Sequence, residues 1–385
     1  HQPTDPAVQS TVAATCPDFN PDAVMSVADQ KRLPRLLPMA MAAATEALLQ
    51  ADLPADGSEA TGVILGTGAG GIDFTLDQAA AYHAPDPGRH PSLWTITNAT
   101  HGNLAGELSI RLDLRGPSLC ISTGCASSSD AIGLAMDLLR SRRPGAPRRL
   151  VVVGADAHVR DETLLGMELL RVISTRRCTS ADEASRASRP FDAGRDGFIL
   201  GEGAWALVLE RADEASVRGT RILAALRGYG ATCDAYHRVR PVEDMEGSVR
   251  AMQHALQDAE LEPTDIEVFH YHGTATETND RLETLAVRRA FGDHARSLRG
   301  TSVKSMIGHP QGACGAAAMV ATIGALAGLD GDTPFIPPTI NLDDPDRACD
   351  LEYTPNVAVP TTARTALVNC LAFGAKNSAL VLTCG

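Results

Sequence analysis

The chain has 385 residues, 44% of them hydrophobic but only 4% aromatic, with 34 glycines. Its 47 acidic residues outnumber 34 basic ones, a net charge of −13 that argues against nucleic acid as a partner. Nine cysteines without a CxxC pair argue against a disulfide framework and against a zinc site. With no secretory signal legible from His1 onward, they fit a reducing cytoplasm.

Residues 1–30 are polar and proline-containing, with no strong period. Lys31, Arg32 and Arg35 then open a predicted helix reaching about Leu49, apolar at Leu36, Leu37, Ala40, Met41 and Ala44. Gly62 to Leu65 predicts a short strand that runs into Gly66-Thr67-Gly68-Ala69-Gly70-Gly71, a formal GxGxxG. No strand carrying a ribose-binding acid follows, and Tyr82 to Pro91 reads as loop, so a nicotinamide or flavin site is not favoured. Asn98 to Leu112 predicts a helix.

A strand-like run then ends at Cys120-Ile121, and the chain passes through Ser122-Thr123-Gly124-Cys125-Ala126-Ser127-Ser128-Ser129. The predicted helix beyond it, Ala131 to Leu139, is closed by Arg140, Arg142 and Arg143. Cys125 therefore stands on a tight turn at a helix start, among unpaired N–H groups at the positive end of the dipole. A thiol there is expected to ionise more easily than a free one, and the thiolate is the nucleophile. The plainer alternative is a small buried cysteine.

Leu150 to Gly154 is a continuous apolar run, as for a strand covered on both faces. A loop-rich stretch (Ser188 to Asp192, Arg195 to Phe198, Gly201 to Gly203) leads into predicted strands at Ala204–Leu209 and Ile222–Arg227. Further on come a helix near Glu246–Ala259, a strand Ile266–Tyr271, a helix near Thr278–Phe291 and a short strand Thr301–Val303. The uncharged run Gly312 to Leu329 approaches membrane-span length, but its Gly and Ala content reads as a helix buried on all sides. Ala366–Leu371 and Ala379–Leu382 close the chain as a hairpin. Strand-helix alternation twice over predicts a layered α/β fold with mostly parallel sheets.

Three more Gly-rich loops follow strands and carry reactive side chains: His270 to Thr274, Lys304 to Pro310, and Asn369 to Asn377. Catalytic groups gather at the carboxyl ends of strands in such folds, which places His272 and His309 at a candidate site. His270, two residues from His272, points to the other face and reads as structural. A metal held by His270, His272 and His309 is disfavoured, since no Cys or carboxylate sits at ligand spacing beside them.

Together, Thr123 to Ser127, Arg189 to Asp192 with Arg195 to Phe198, His272-Gly273-Thr274 with Asn279-Asp280 and Glu283, and Lys304-Ser305 with Gly308-His309 resemble β-ketoacyl-acyl-carrier-protein synthases in order and spacing. Within that family the chain looks most like the catalytic ketosynthase subunit of type II polyketide synthases, from about Lys31 onward.

The resemblance implies an α/β thiolase-like fold of two pseudo-repeated βα halves, their central sheets stacked in a five-layer αβαβα arrangement. The first half (1–237) would carry the nucleophile and the second (238–385) both histidines. It implies a decarboxylative Claisen condensation with Cys125, His272, His309, Lys304 and Glu283 as catalytic residues, the last two as an ion pair orienting the histidines. The Cys125 and Phe373 N–H groups would form the oxyanion hole, and Ile96, Phe198, Phe373 and Gly374 the pocket and its gate. Neither metal nor organic cofactor is implied. The partners would be an acyl carrier protein, docking on Lys31, Arg32 and Arg35 or on Arg171, Arg176 and Arg177, and a second subunit, either identical or resembling a chain-length factor. Nucleic acid and membrane are not among the expected partners. Alternatives are a non-catalytic partner subunit of that kind, a thiolase or a cysteine hydrolase. The chain departs from the family in opening without the usual first core strand. Its final turn also reads Ala372-Phe373-Gly374-Ala375-Lys376-Asn377, with two glycines lost.

Overall fold

The computed structural model describes residues 3–53, 57–85, 88, 90–328 and 333–385. Two mixed sheets form its frame. The first orders its strands β2-β1-β3-β4, with β1 at Thr61–Gly66, β2 at Ser118–Ile121, β3 at Arg149–Asp156 and β4 at Gly203–Glu210. The second orders β5-β11-β10-β6-β7, where β5 is Ala224–Cys233, β6 Val268–His270, β7 Arg299–Thr301, β10 Thr365–Ala372 and β11 Lys376–Cys384. A two-stranded ribbon, β8 (Phe335–Ile336) with β9 (Val359–Pro360), lies apart from both.

Alternate side chains of β1 and β3 explain why those strands read as unbroken apolar runs. Val63, Leu65, Val151 and Val153 face one core with the helices Leu36–Gln50 and His101–Leu112. Ile64, Leu150 and Val152 face a second core that holds the helices Ser127–Arg140 and Cys314–Ala327, with Val368 and Leu380 of the other sheet beyond them. A third core joins that sheet to the helices Glu246–Ala259 and Glu277–Phe291. The result is helix, sheet, helix, sheet, helix: the five-layer αβαβα arrangement.

The low aromatic content follows from the middle layer, where small side chains let the helices touch. A Cβ on Gly315 would meet the Ser129 hydroxyl oxygen at 2.1 Å, and the Ala316 N–H donates to Ser128 Oγ at 2.9 Å. The Gly/Ala helix is buried on nearly every face and ends at Ala327 on a left-handed Gly328; Leu329 lies outside the described residues. Among the described residues no helix is long and apolar enough to cross a membrane.

Several element boundaries differ from the sequence pattern. The first long helix begins at Leu36, because Ser26 already caps a separate short helix, Val27–Gln30, that ends before Lys31. The helix expected from Asn98 is broken at Thr100, whose extended backbone separates Thr95–Ala99 from His101–Leu112. Tyr82 and His83 belong to the helix Ile72–His83 rather than to a loop, and residues 86–87 and 89 lie outside the description. β5, which a boundary at 237/238 assigns to the first half, pairs with β11, so sheet membership changes between Glu210 and Ala224.

Candidate active site

Cys125 lies in a 3-10 turn, Gly124–Ala126, that leads straight into the helix Ser127–Arg140. Gly124 takes φ +70°, a conformation that glycine adopts without Cβ strain, and this throws the chain from β2 into the helix. His272 follows β6, and His309 follows the short helix Lys304–Ile307. One ligand-capable atom each from Cys125, His272 and His309 lies within 4.8 Å of the others, with all three side chains buried. The two imidazoles meet edge to face, 5.3 Å between centroids. Residues from three separate segments of the chain thus converge on one point.

Lys304 Nζ lies 3.4 Å from His272 Nδ1. An ammonium only donates, so Nδ1 accepts and the His272 proton sits on Nε2, free to donate. Burial pushes His272 down to about 3, with Lys304 reinforcing it; burial likewise lowers His309. Both imidazoles are therefore neutral donors near neutral pH. Glu283 does not pair with Lys304, contrary to expectation. Its carboxylate accepts from the backbone N–H groups of His272 (2.7 Å) and Gly273 (2.8 Å) and from Asn369 Nδ2 (2.6 Å), so it fixes the loop instead. Burial raises Glu283 to about 7 against those three donors.

The electrostatics of Cys125 also reverse the expectation. Burial pushes its thiol up to about 12; the Cys314 sulfur reinforces this, while Lys304 and the Phe373 N–H oppose it. The turn motif signals a helix dipole, but it carries no information on how completely the site is closed. Cys125 is only 4% exposed.

Cys314 and Cys370, which sequence reading passed over, complete the site. Both thiols donate to the Cys125 carbonyl oxygen at 3.1 Å. The metal expectation rested on no cysteine standing near the histidines, and folding overturns that premise. His272, Cys314 and Cys370 also bring one ligand atom each within 4.8 Å of one another. His270 is structural as read: its ring meets Thr322 Oγ1 at 2.9 Å, on the far side from the site.

The GxGxxG loop binds no phosphate-like ligand here, because the chain's own carboxylate fills it. Asp156 accepts from Thr67 Oγ1 (2.7 Å), Gly68 N (2.9 Å), Ala69 N (3.0 Å) and Gly312 N (2.7 Å). That carboxylate staples the second half's buried helix start to the first half. The Arg189–Phe198 stretch is scaffold of the same kind: Asp280 accepts from the Phe191 N–H at 2.8 Å and faces buried Arg195 at 3.5 Å.

Residues 6–215 match the N-terminal domain of beta-ketoacyl synthases and residues 223–343 the C-terminal domain. The chain belongs to the β-ketoacyl synthase family. It is 36% identical over 365 residues to the 3-oxoacyl-[acyl-carrier-protein] synthase 2 of Synechocystis sp., covering 94% of this chain and 85% of that one. The corresponding enzyme of Rhizobium meliloti is 38% identical over 368 residues, covering 94% and 84%. A beta-ketoacyl synthase from Burkholderia phymatum superposes with a TM-score of 0.87 at 30% identity, covering 98% of this chain and 89% of that chain. The ishigamide ketosynthase/chain length factor does so at 0.84 and 32%, covering 97% and 88%. These matches place the chain among acyltransferases of thiolase-like fold.

The remaining family expectations meet the structure unevenly. Phe373 is half-buried beside Cys125, and Gly374 is exposed at φ +83°. Ala375 occupies a left-handed conformation at φ +62°, which a glycine would adopt about 1 kcal/mol more easily, so the substitution stiffens this turn. Phe198 is buried with its ring against His309, 5.2 Å between centroids. Ile96 is 76% exposed on the five-residue helix Thr95–Ala99. Arg35 is exposed, but both its Nε and Nη2 grip the buried Glu202 (3.0 and 2.7 Å), so its charge is already paired. Arg176 is turned inward on Gly194 O and Asp196, whereas Lys31, Arg32, Arg171 and Arg177 are exposed.

Proposed function

We propose that this synthase condenses an acyl chain held on Cys125 with malonyl-acyl-carrier protein in polyketide or fatty-acid elongation. The convergence of Cys125, His272 and His309 at 4.8 Å, with Lys304 on His272 Nδ1, supports this most directly. Cys125 Sγ attacks the carrier-bound thioester; a C–S bond forms, the bond to the carrier sulfur breaks, and the Cys125 proton passes by way of a neighbouring imidazole to the leaving carrier thiolate. Malonyl thioester then loses carbon dioxide, and the electron pair moves onto the thioester oxygen. His272 Nε2–H and His309 donate to that oxygen, so charge develops where preorganised donors already stand. The enolate carbon attacks the acyl carbonyl, whose oxyanion meets the Cys125 and Phe373 N–H groups. The C–S bond breaks, and the Cys125 thiolate takes a proton from solvent to regenerate the cysteine.

The partners belong to the same proposal. One structural relative, 26% identical with a TM-score of 0.87 and covering 98% of this chain and 89% of that chain, is a type II acyl-carrier protein in complex with its ketosynthase bound to the hexaketide. Others pair a ketosynthase with a chain length factor. In this chain β2 is the open edge of the first sheet; Leu119 on it, Ile110 on the neighbouring helix, and Leu93 and Ile96 are all exposed. An apolar face beside an edge strand suits a second, identical or divergent, subunit. A cytoplasmic location accompanies this reading. Retention of Cys125 with both histidines argues against a non-catalytic role.

The test is Cys125→Ala. The expected outcome is a loss of condensation of about a thousandfold or more at unchanged melting temperature, with no acylated protein in the mass spectrum. Condensation by that variant refutes the assignment.

A further inference from the structure

We propose that Cys314 Sγ, Cys370 Sγ and His272 Nδ1 form a capture site for one thiophilic divalent ion of the zinc class, and that its binding stalls the enzyme. Three elements supply these groups: the start of the helix Cys314–Ala327, the strand β10 and the loop after β6. All three side chains are buried.

The geometry already has the shape of a metal site. The two sulfurs are 3.6 Å apart, and Cys370 Sγ lies 3.6 Å from His272 Nδ1. Tetrahedral zinc, with Zn–S of about 2.3 Å and Zn–N of about 2.0 Å, has S···S edges of about 3.8 Å and S···N edges of about 3.5 Å. The third edge, between Cys314 Sγ and His272, is within 4.8 Å, so it closes by at most about 1.3 Å when an ion enters. At 3.6 Å the two sulfurs are free thiols, well beyond the disulfide bond length of about 2.05 Å.

Two thiolates and an imidazole select a soft or borderline ion over magnesium or calcium. Cys314 opens a 14-residue helix, whose positive end favours a thiolate there. On binding, two S–H bonds are replaced by two metal–sulfur bonds and two protons leave to solvent, while neutral His272 supplies its Nδ1 lone pair. Cys125 and His309 cluster within 4.8 Å of His272 and are the candidates for a fourth ligand.

The lone pair that the ion takes is the one that now accepts from Lys304. Ion capture therefore strips His272 of the contact that orients it. That consequence rests on the condensation reading, whereas the binding itself does not.

The experiment titrates reduced, chelator-treated enzyme with cobalt(II) alone, then with zinc. Thiolate-to-cobalt charge-transfer bands should saturate at one ion per chain and be displaced by zinc. They should vanish in Cys314→Ser and in Cys370→Ala, persist in Cys384→Ser, and survive or lose only their fourth-ligand character in Cys125→Ala. No such bands in the parent enzyme, or bands that persist in both Cys314→Ser and Cys370→Ala, overturn the site. Bands lost in Cys125→Ala alone also overturn it, by placing the ion on the nucleophile. Zinc should slow condensation more than about tenfold in the parent and in Cys384→Ser, and leave the zinc-free rates of Cys314→Ser and Cys370→Ala unchanged. Cobalt binding without inhibition overturns the stalling.

Discussion

The two helices of the middle layer start in the same way and do different work. Each has 14 residues and follows a three-residue 3-10 turn, Gly124–Ala126 in one half and Gln311–Ala313 in the other. Each turn opens at positive φ, +70° at Gly124 and +44° at Gln311. The first start presents a sulfur, Cys125, to the Phe373 N–H and the two histidines. The second donates its Gly312 N–H to a carboxylate, Asp156. A helix start is a ready-made place for negative charge, and this fold uses one for chemistry and the other as a staple. Which is which depends on what the opposite half delivers.

Changes on the reactive side of that comparison should have the larger effects. His272→Ala and His309→Ala should each cost about a hundredfold or more in carbon dioxide release from malonyl-carrier protein. Both should still acylate Cys125, because the turn and the Phe373 N–H remain. Lys304→Ala should follow the histidine variants in decarboxylation, since it sets the His272 tautomer. Single-turnover decarboxylation and acyl-enzyme mass separate the two steps. A histidine variant that loses loading but keeps decarboxylation would reverse the assigned roles.

On the stapling side, Asp156→Asn should act on stability first. The carboxylate accepts four hydrogen bonds, and an amide turns one oxygen into a donor facing N–H groups. Leaving a buried donor unsatisfied costs roughly 1–3 kcal/mol, readable as a lower urea midpoint with the site chemistry retained per folded molecule. An unchanged midpoint would mean that the two helix starts are held together by packing alone.

How much of this was legible depends on whether the signal was local. Cys125, His272 and His309 each sit in a Gly-rich loop just after an apolar run, and such loops can be read one at a time. Cys314 and Cys370 are 189 and 245 residues from Cys125, and neither breaks the pattern of its own element, so nothing local ties them to it. The Lys304–Glu283 pairing failed for a related reason. The family resemblance implied a bridge, yet the carboxylate turns to backbone N–H groups that sequence does not display. The five layers were implied by the family resemblance. The alternation of strands and helices alone supported only a layered α/β fold, because no repeat is visible between the halves.

Acid should sharpen the contrast between buried neutral histidines and the buried glutamate. Burial holds His270 and His272 at about 3, and lowers His309. Between there and the ordinary imidazole value, the unfolded chain binds more protons than the folded one. Each histidine therefore subtracts up to about 1.4 kcal/mol per pH unit as pH falls. Glu283, raised to about 7, works in the opposite direction: the folded protein takes its proton first, which adds stability as pH falls towards the ordinary glutamate range. Three groups against one predict a net loss below about pH 6. Glu283→Gln removes the opposing contribution and should steepen it. Urea midpoints between pH 7 and pH 5 check the sign, and a midpoint that rises on acidification would mean that the imidazoles are charged in the folded state.

The smallest effect belongs to the surface, where the comparison is between two neighbouring arginines. Arg32 is exposed and engages no acidic partner within ion-pair distance among the described residues, while Arg35 is spent on buried Glu202. An acidic carrier protein approaching a chain of net charge −13 needs a local cationic patch, and Lys31 with Arg32 remains available for it. Exposed charges act mainly on encounter, so Lys31→Glu with Arg32→Glu should lower carrier-dependent turnover severalfold at low salt. The loss should fade as the ionic strength approaches about 0.15 M and the screening length shrinks to about 8 Å. Turnover of a small acyl-thioester mimic should not change. Arg35→Glu should behave differently: it strands Glu202, lowers the melting temperature, and reduces turnover of carrier and mimic alike at every salt concentration. If Arg35→Glu instead shows the salt-dependent, carrier-only loss, then its grip on Glu202 gives way on docking and the patch has three members.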